Sequence, residues 1–232
     1  MKGRISEIFA SVQGEGLYVG ERQIFVRLSG CNLKCSYCDT DTSGFQEYDP
    51  AQALAEIEKL AASRSTPRRS STCAAVSFTG GEPLLQADFL KELLPLVRQA
   101  GFLNYLETNG TLPEAMREVA GLVDIVAMDF KLPSAGKTES CWAAHRAFLA
   151  ACAGKEVFIK AVVSTRTREE DIREGIRVVK DIRPEAVLVL QPDSSAARGS
   201  LDAKLRGFKK LCDDHAVDAR VIPQVHKIIG VR

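Results

Sequence analysis

Three cysteines stand within eight residues of the stretch LSGCNLKCSYCDTDTSG, at Cys31, Cys35 and Cys38. Their spacing is C-x3-C-x2-C, and thiolates bind soft metals such as zinc, copper(I) and iron–sulfur clusters. A 4Fe–4S cube normally takes four cysteines, so three leave one iron open to a small molecule. We therefore predict a cluster with one open position at this loop.

Two other uses of the cysteines remain open at this point. A structural zinc site takes four closed ligands, usually from two separated pairs, and the loop holds no histidine. If one of the distant cysteines Cys73, Cys141, Cys152 and Cys212 completed the cluster, the protein would be a plain electron carrier. Cys152 and Cys212 fall at apolar positions of helical patterns and are expected to be core thiols.

A second stretch whose residues could bind a ligand is SFTGGEP, residues Ser77–Pro83. Its two glycines let backbone groups approach a ligand closely. The carboxylate of Glu82 can accept a hydrogen bond from an ammonium group. Taken alone, the stretch also fits an ordinary tight turn.

The elements that must position these residues form an alternating pattern. Short apolar runs such as CAAVSF and VDIVAM alternate with helical patterns such as DPAQALAEIEKLAAS, which predicts βαβ units and a mainly parallel sheet. Polar residues follow several runs, among them Thr79, Glu107, Asp129 and Gln191, and parallel strands bring such ends to one rim. About six clear strands are too few for a closed eight-stranded barrel. We predict a partial, open TIM-like α/β barrel in a single domain spanning residues 1–232.

Composition excludes several classes of protein. The chain has 232 residues, 45% of them hydrophobic, and a formal net charge of +1, so no strong field attracts nucleic acid or a membrane. No apolar run approaches the ~20 residues of a membrane-spanning helix, and no signal peptide is recognisable. Seven cysteines without such a signal predict a reducing cytoplasm, with thiols that bind metal or stay free.

The two motifs together resemble those of the radical S-adenosylmethionine (SAM) enzymes. The resemblance rests on C-x3-C-x2-C, with Tyr37 just before the last cysteine, and on GGEP at the end of the next clear strand. It implies that the three cysteines hold a 4Fe–4S cluster. It also implies that SAM chelates the open iron through its amino and carboxylate groups and is split to a 5′-deoxyadenosyl radical.

The chain ends resemble one family within that superfamily, the 7-carboxy-7-deazaguanine synthases. The opening IFASVQGEGLYVGERQIFVRLSGCNLKCSYCDT and the closing VIPQVHKIIGVR both match the family's pattern. The resemblance implies a Mg²⁺-dependent ring contraction of 6-carboxy-5,6,7,8-tetrahydropterin to 7-carboxy-7-deazaguanine. Ammonia is lost, and the product feeds queuosine or another 7-deazapurine.

The same resemblance implies roles for individual residues. Thr40 would hold Mg²⁺, since hard oxygen ligands suit that ion, and the guanidinium of Arg27 would hold the substrate carboxylate. The implied substrate contacts are Val12, Gln13, Gly14, Glu15, Arg27, Thr79 and His226. The implied SAM contacts are Tyr37, Cys38, Asp39, Gly81, Glu82, Lys131, Ser134 and Gln191.

Partners and an alternative activity complete the expectations. The family implies a homodimer and a flavodoxin or ferredoxin as electron donor. The basic stretch Arg64–Arg69 is expected to be solvated, or to dock an acidic donor.

A glycyl-radical-enzyme activating enzyme shares the cysteine loop, GGEP and a strand ending in DFK. The QGEG stretch and Thr40 favour the pterin enzyme, because an activating enzyme needs neither groups that recognise a pterin edge nor a magnesium ligand at these positions.

Overall fold

The computed structural model describes residues 1–38, 44–62, 75–137, 139–197 and 199–230. The expectations for Asp39, Thr40, Arg64–Arg69 and Cys73 lie outside these residues. The strands are β1 (Gly3–Val12), β2 (Arg22–Leu28), β3 (Gln46–Tyr48), β4 (Ala75–Gly80), β5 (Leu103–Thr108), β6 (Ile125–Phe130), β7 (Glu156–Val163), β8 (Leu188–Pro192) and β9 (Ala219–Val221). The helices are α1 (Pro50–Ala62), α2 (Ala87–Gln99), α3 (Pro113–Val119), α4 (Pro133–Gly136), α5 (Trp142–Ala151), α6 (Glu169–Ile182), α7 (Asp202–Asp214) and α8 (Val225–Ile229).

The strands form one open sheet in the order β3-β1-β2-β4-β5-β6-β7-β8-β9. Strand β2 and strands β4 to β9 run parallel, while β1 pairs antiparallel with both β2 and β3. The predicted open, mainly parallel sheet is confirmed. The described residues hold seven parallel strands, in line with the prediction of about six, and β1 and β3 were not predicted. Among the described residues, no helix is long and apolar enough to span a membrane.

The outer face of the sheet packs against the helices and forms the main core. Successive side chains of a strand point to opposite faces, so every second residue meets the helical layer. On α2, buried side chains recur at the three- and four-residue spacing of one helical face. The largest fully buried side chains of this outer core include Phe78, Leu90, Leu93, Phe130 and Phe148.

The inner face of the sheet changes from apolar to polar along the strands. Toward the amino ends lies a small apolar cluster of Ala75, Tyr105, Ile125, Ala127, Phe158 and Val189. Two residues later on four of these strands, the same face carries Glu107, Asp129, Lys160 and Gln191. Tyr18 closes the apolar end, with its ring 5.7 Å from that of Tyr105 and 6.1 Å from that of Phe158. The carboxyl ends of the strands are thus the polar end of the sheet.

Candidate active site

A cavity of about 190 Å³, which we call the cysteine cavity, opens at the carboxyl ends of the strands. The tricysteine loop, residues 30–38, forms one wall, and the strand ends form the other. Cys31, Cys35 and Cys38 all line it. Its other walls include Tyr37, Gly81, Asn109, Asp129, Lys131, Lys160 and Gln191.

The tricysteine loop is fixed to the sheet at two places near its start. The backbone N–H of Glu82 donates to the carbonyl of Gly30 over 2.9 Å. The Asn109 amide donates to Oδ1 of Asn32 over 2.8 Å. These contacts set the position of Cys31, which lies between Gly30 and Asn32.

The far side of the loop is held by α4 and by the turn that follows β7. The N–H of Ser36 donates to the carbonyl of Gly136 over 3.0 Å. Arg166 donates to Oγ of Ser36 over 2.9 Å and to the carbonyl of Ala135 over 3.0 Å. The loop that carries the thiols is therefore clamped from both sides.

The donor set fits a cluster better than a single metal ion. Among the described residues, no three His, Cys, Asp or Glu side chains are arranged to hold one ion. A 4Fe–4S cube does not need that arrangement, because each thiolate binds a different iron. Two buried oxygens at the cavity, Oε1 of Gln191 and Oδ1 of Asp129, have no hydrogen-bond partner among the described residues. Buried acceptors are rarely left unpaired, so both are available to accept a hydrogen bond from a ligand in the cavity.

Lys131 brings positive charge to this cavity. Its Nζ lies 2.7 Å from Oδ2 of Asp129 and 5.7 Å from the centre of the Tyr37 ring. Burial alone would lower the pKa of Lys131, but Asp129 and Tyr37 raise it above its ordinary value. Burial raises the pKa of the Cys35 thiol, and the charge of Lys131 opposes that effect.

A second cavity, the Arg27 cavity, lies beside the first. All seven expected substrate contacts line it: Val12, Gln13, Gly14, Glu15, Arg27, Thr79 and His226. Glu15, Glu107 and Gln224 line both cavities, so the two adjoin along a shared wall. The structure therefore brings together residues more than 200 positions apart in the sequence.

The shared wall is built around Lys160, which comes from the middle of β7. Its Nζ lies 2.6 Å from Oε2 of Glu15 and 3.9 Å from Oε2 of Glu107. The amide of Gln224 donates to the other oxygen of Glu15 over 2.6 Å. Burial alone would raise the pKa of Glu15, but Lys160 and Gln224 lower it to about 2. Glu15 is therefore a carboxylate at neutral pH.

Glu107 accepts hydrogen bonds from three side chains on its own side of the wall. The Gln13 amide donates to it over 3.0 Å, Oγ of Ser77 over 3.0 Å and Oγ1 of Thr79 over 3.4 Å. Gln13 also accepts from the backbone N–H of Glu15 over 3.1 Å. The QGEG turn is thus attached to the strand ends through its side chains.

Arg27 stands against an aromatic wall of the Arg27 cavity. Its guanidinium lies 5.5 Å from the centre of the Phe9 ring, which stacks on Phe25 at 5.2 Å. Its Nε lies 2.8 Å from a carboxylate oxygen of Glu7. Glu7 and Phe9 thereby fix the orientation of the guanidinium at the cavity.

Of the expected SAM contacts that the structure describes, Glu82 and Ser134 do not line the cysteine cavity. The Glu82 carboxylate is fully buried and accepts from the backbone N–H groups of Leu84 and Asn109 and from the hydroxyl of Thr108. This carboxylate therefore already has three donors within the protein, and its expected contact with the ammonium group of SAM stays a prediction. Ser134 instead bonds Asp171 through its N–H and hydroxyl and accepts from the N–H of Arg168.

Several residues of the site were not assigned from the sequence. Glu107 and Asp129 were noted only as polar strand ends, and Lys160 was not noted. A lysine inside the apolar run EVFIKAVV is a usable signal, because a charge in a buried strand needs a partner. Gln224 carries no such signal, since only the fold brings it to Glu15.

The family model of the Radical SAM superfamily matches residues 25–184. Among curated proteins, the chain is 35% identical over 242 residues to a 7-carboxy-7-deazaguanine synthase of Geobacter sulfurreducens, covering 97% of this chain and 96% of that protein. It is 36% identical over 242 residues to the protein of the same name from Archaeoglobus fulgidus, covering 100% of both.

Solved structures resemble the chain in fold. A crystal structure of QueE from Escherichia coli matches with a TM-score of 0.66 and 24% identity, covering 97% of this chain and 95% of that one. A structure of TYW1 with a lysine-pyruvate adduct matches with a TM-score of 0.59 and 12% identity, covering 83% and 73%. At these identities the likeness concerns the fold.

Proposed function

The chain belongs to the 7-carboxy-7-deazaguanine synthases of the radical SAM superfamily, and from that membership we propose how its two cavities share the reaction. Its activity is the ring contraction of 6-carboxy-5,6,7,8-tetrahydropterin to 7-carboxy-7-deazaguanine, with loss of ammonia. In our proposal the cysteine cavity takes the cluster and SAM, and the Arg27 cavity takes the pterin. The adjoining of the two cavities along Glu15, Glu107 and Gln224 is the observation that carries this division.

The cysteine cavity offers a consistent set of groups for the cofactors. Cys31, Cys35 and Cys38 would bind the cluster, and the unpartnered oxygens of Asp129 and Gln191 would accept from SAM. When bound, the cluster and SAM supply the one-electron chemistry that begins the reaction.

The Arg27 cavity offers groups that suit a carboxylated pterin. The ionised Glu15 accepts hydrogen bonds, and the amide of Gln13 both donates and accepts, which suits the donor–acceptor edge of the ring. Arg27 would bind the substrate carboxylate. Gly14, Val12, Thr79 and His226 complete the walls.

Finer features of the proposal rest on the family resemblance. Mg²⁺ would bind at Thr40 together with the substrate, and Asp39 would lie beside SAM. The protein would act as a homodimer in the cytoplasm, with a flavodoxin or ferredoxin as its reductant. For Thr40→Ala we expect weaker Mg²⁺ dependence with the cluster intact, measured as turnover against Mg²⁺ concentration. An unchanged Mg²⁺ response would contradict that role.

The activating-enzyme alternative is not favoured. The curated relatives that match the full chain carry the synthase name, and the QGEG turn lines a cavity together with Arg27. An enzyme acting on a protein backbone has no need for a pair of partly buried carboxylates held by a lysine.

An anaerobic turnover assay tests the proposed function. The reconstituted protein is incubated with 6-carboxy-5,6,7,8-tetrahydropterin, SAM, Mg²⁺ and dithionite, and the products are identified by mass spectrometry. We expect 7-carboxy-7-deazaguanine, about four irons and four sulfides per chain, and no turnover by Cys35→Ala. SAM cleavage without that product would refute the substrate assignment, and one zinc with no iron would refute the radical mechanism.

A further inference from the structure

At the shared wall, Lys160 forms ion pairs with both carboxylates, those of Glu15 and Glu107. Its side chain is 7% exposed, and its Nζ lies 2.6 Å from Glu15 and 3.9 Å from Glu107. Its Cα is also the register partner of Asp129 on the neighbouring strand β6. Lys160 thus lies among three carboxylates, and the third of them, Asp129, is also paired with Lys131.

Two carboxylates that line the same cavities repel each other unless a cation compensates their charge. Like charges at one buried site raise the pKa of one partner strongly, because its ionised form repels the other. A protonated carboxyl donates through its O–H and loses acceptor capacity. The N–H groups of a pterin edge need acceptors, so the charge state of the wall decides what it can bind.

We propose that Lys160 is a positioning residue for the synthase reaction, whose charge fixes the carboxylates of Glu15 and Glu107 so that both accept hydrogen bonds from the substrate. This inference rests on the proposed function, since it concerns the substrate of the Arg27 cavity. It assigns Lys160 a role in recognition that no comparison with relatives supplies.

The surroundings make Lys160 a fixed charge and not a proton donor or acceptor. Burial alone would lower its pKa, but the carboxylates of Glu15, Glu107 and Asp129 raise it above its ordinary value. Glu15 is in turn faced by the Gln224 amide and, at longer range, by the side chain of His226. Lys160 therefore keeps its proton throughout the neutral range and acts through Glu15 and Glu107.

The test compares Lys160→Met, which removes the charge, with Lys160→Arg, which keeps it. Turnover by the reconstituted enzymes is measured from about pH 8 to about pH 5. For Lys160→Met we expect a rise of roughly tenfold or more in KM, with kcat/KM relative to wild type falling further as the pH is lowered. For Lys160→Arg we expect a smaller loss whose ratio to wild type does not vary with pH.

A control and a second measurement separate this inference from folding and from the proposed function. Lys59→Met removes an exposed lysine of α1 and should leave KM and the pH profile unchanged. Independently of substrate, the loss of thermal stability in Lys160→Met should shrink as the pH falls, because protonated carboxyls need no cation. Adding Glu15→Gln to Lys160→Met should restore part of that stability.

The outcomes are distinct. Absence of product from the wild-type protein would refute the proposed function, while the stability measurements would still decide the role of Lys160. A Lys160→Met enzyme with wild-type KM, or with a pH-independent ratio to wild type, would overturn the inference. So would a loss of stability in Lys160→Met that does not depend on pH.

Discussion

Glu82 illustrates how a residue of a ligand-binding motif can serve the fold. Its two carboxylate oxygens accept from the hydroxyl of Thr108 over 2.8 Å and from the N–H groups of Leu84 and Asn109 over 3.1 and 2.7 Å. The carboxylate therefore ties the end of β4 to the end of β5, next to the tricysteine loop.

The first prediction concerns this buried carboxylate. In Glu82→Gln, an NH₂ group replaces an oxygen that accepts hydrogen bonds, so at least one buried N–H donor faces another donor. We expect a loss of about 2 kcal/mol in the free energy of unfolding, measured by urea denaturation under anaerobic conditions. Glu58→Gln, on the exposed face of α1, is the matched control. Equal stability of the two variants would contradict the assignment.

A second prediction follows from the low pKa of Glu15. Its value of about 2 lies below the ordinary 4.5, so the folded state binds this proton less readily than the unfolded state. The stabilisation is therefore complete above about pH 4.5 and is lost as the pH falls toward about 2. Glu15→Gln should be less stable than wild type by about 3 kcal/mol at neutral pH, and the gap should close in acid. A gap that stays constant with pH would refute the ion pair as its cause.

At the residue scale, the sequence predicts types better than partners. The motif residues Gln13, Arg27 and Thr79 were assigned from resemblance and do line one cavity. Lys160 and Gln224 were missed because each acts by donating a hydrogen bond to Glu15, which is distant in sequence from both. The sequence shows the chemical type of each side chain, but the tertiary structure determines which partner it contacts.

At the scale of elements, the close approach between the end of β4 and the tricysteine loop depends on glycine. A Cβ added at Gly81 would lie 2.0 Å from the carbonyl oxygen of Gly30 and 2.9 Å from Cβ of Cys31. Both the first cysteine and the backbone before it would have to move. The strand end and the loop can meet only without a side chain at this position.

The third prediction is that Gly81→Ala impairs cluster binding. The displaced loop should retain several-fold less iron and sulfide than wild type after the same reconstitution, with a corresponding loss of SAM cleavage. Gly121→Ala is the control, because a Cβ there meets no atom within 4 Å. Equal iron content in the two variants would show that the loop tolerates the displacement.

Strand β1 shows why one element escaped prediction. Its apolar residues Ile5, Ile8, Phe9 and Val12 follow the three- and four-residue spacing of a helix, not the alternation of a strand. The pairing with β2 shifts register between Ile5 and Glu7, and such an irregularity places residues three apart on the same face. Ile5 and Ile8 accordingly both pack on the outer core. The parallel strands have no such irregularity in their registers and were recognised from their apolar runs.

At the scale of the whole molecule, the inner face of the sheet is graded from an apolar end to a charged end. The aromatic cluster around Tyr18, Tyr105 and Phe158 excludes water at the amino ends of the strands. Two residues further along the strands, Glu107 and Lys160 line the cavities. The apolar cluster beneath them lowers the local dielectric constant, which strengthens their electrostatic attraction. The alternation of side chains along each strand and the order of the strands in the sheet together bring these residues to one site. The site therefore could not be predicted from any single segment of the chain.

The distribution of cysteines over the molecule gives the last prediction. Cys152 and Cys212 are fully buried in the outer core, and burial raises their pKa values to about 12 and about 11. Because the thiolate is the reactive form, iodoacetamide should leave both unmodified in the folded apo-protein near neutral pH. Cys31, Cys35 and Cys38 line an open cavity and should react, and reconstitution of the cluster should protect all three. Mass spectrometry of peptides measures each site, with half-buried Cys141 as the reference that the cluster does not protect. Modification of Cys152 in the folded protein would contradict its place in the core, and unprotected loop cysteines in the iron-loaded protein would show that other residues hold the cluster.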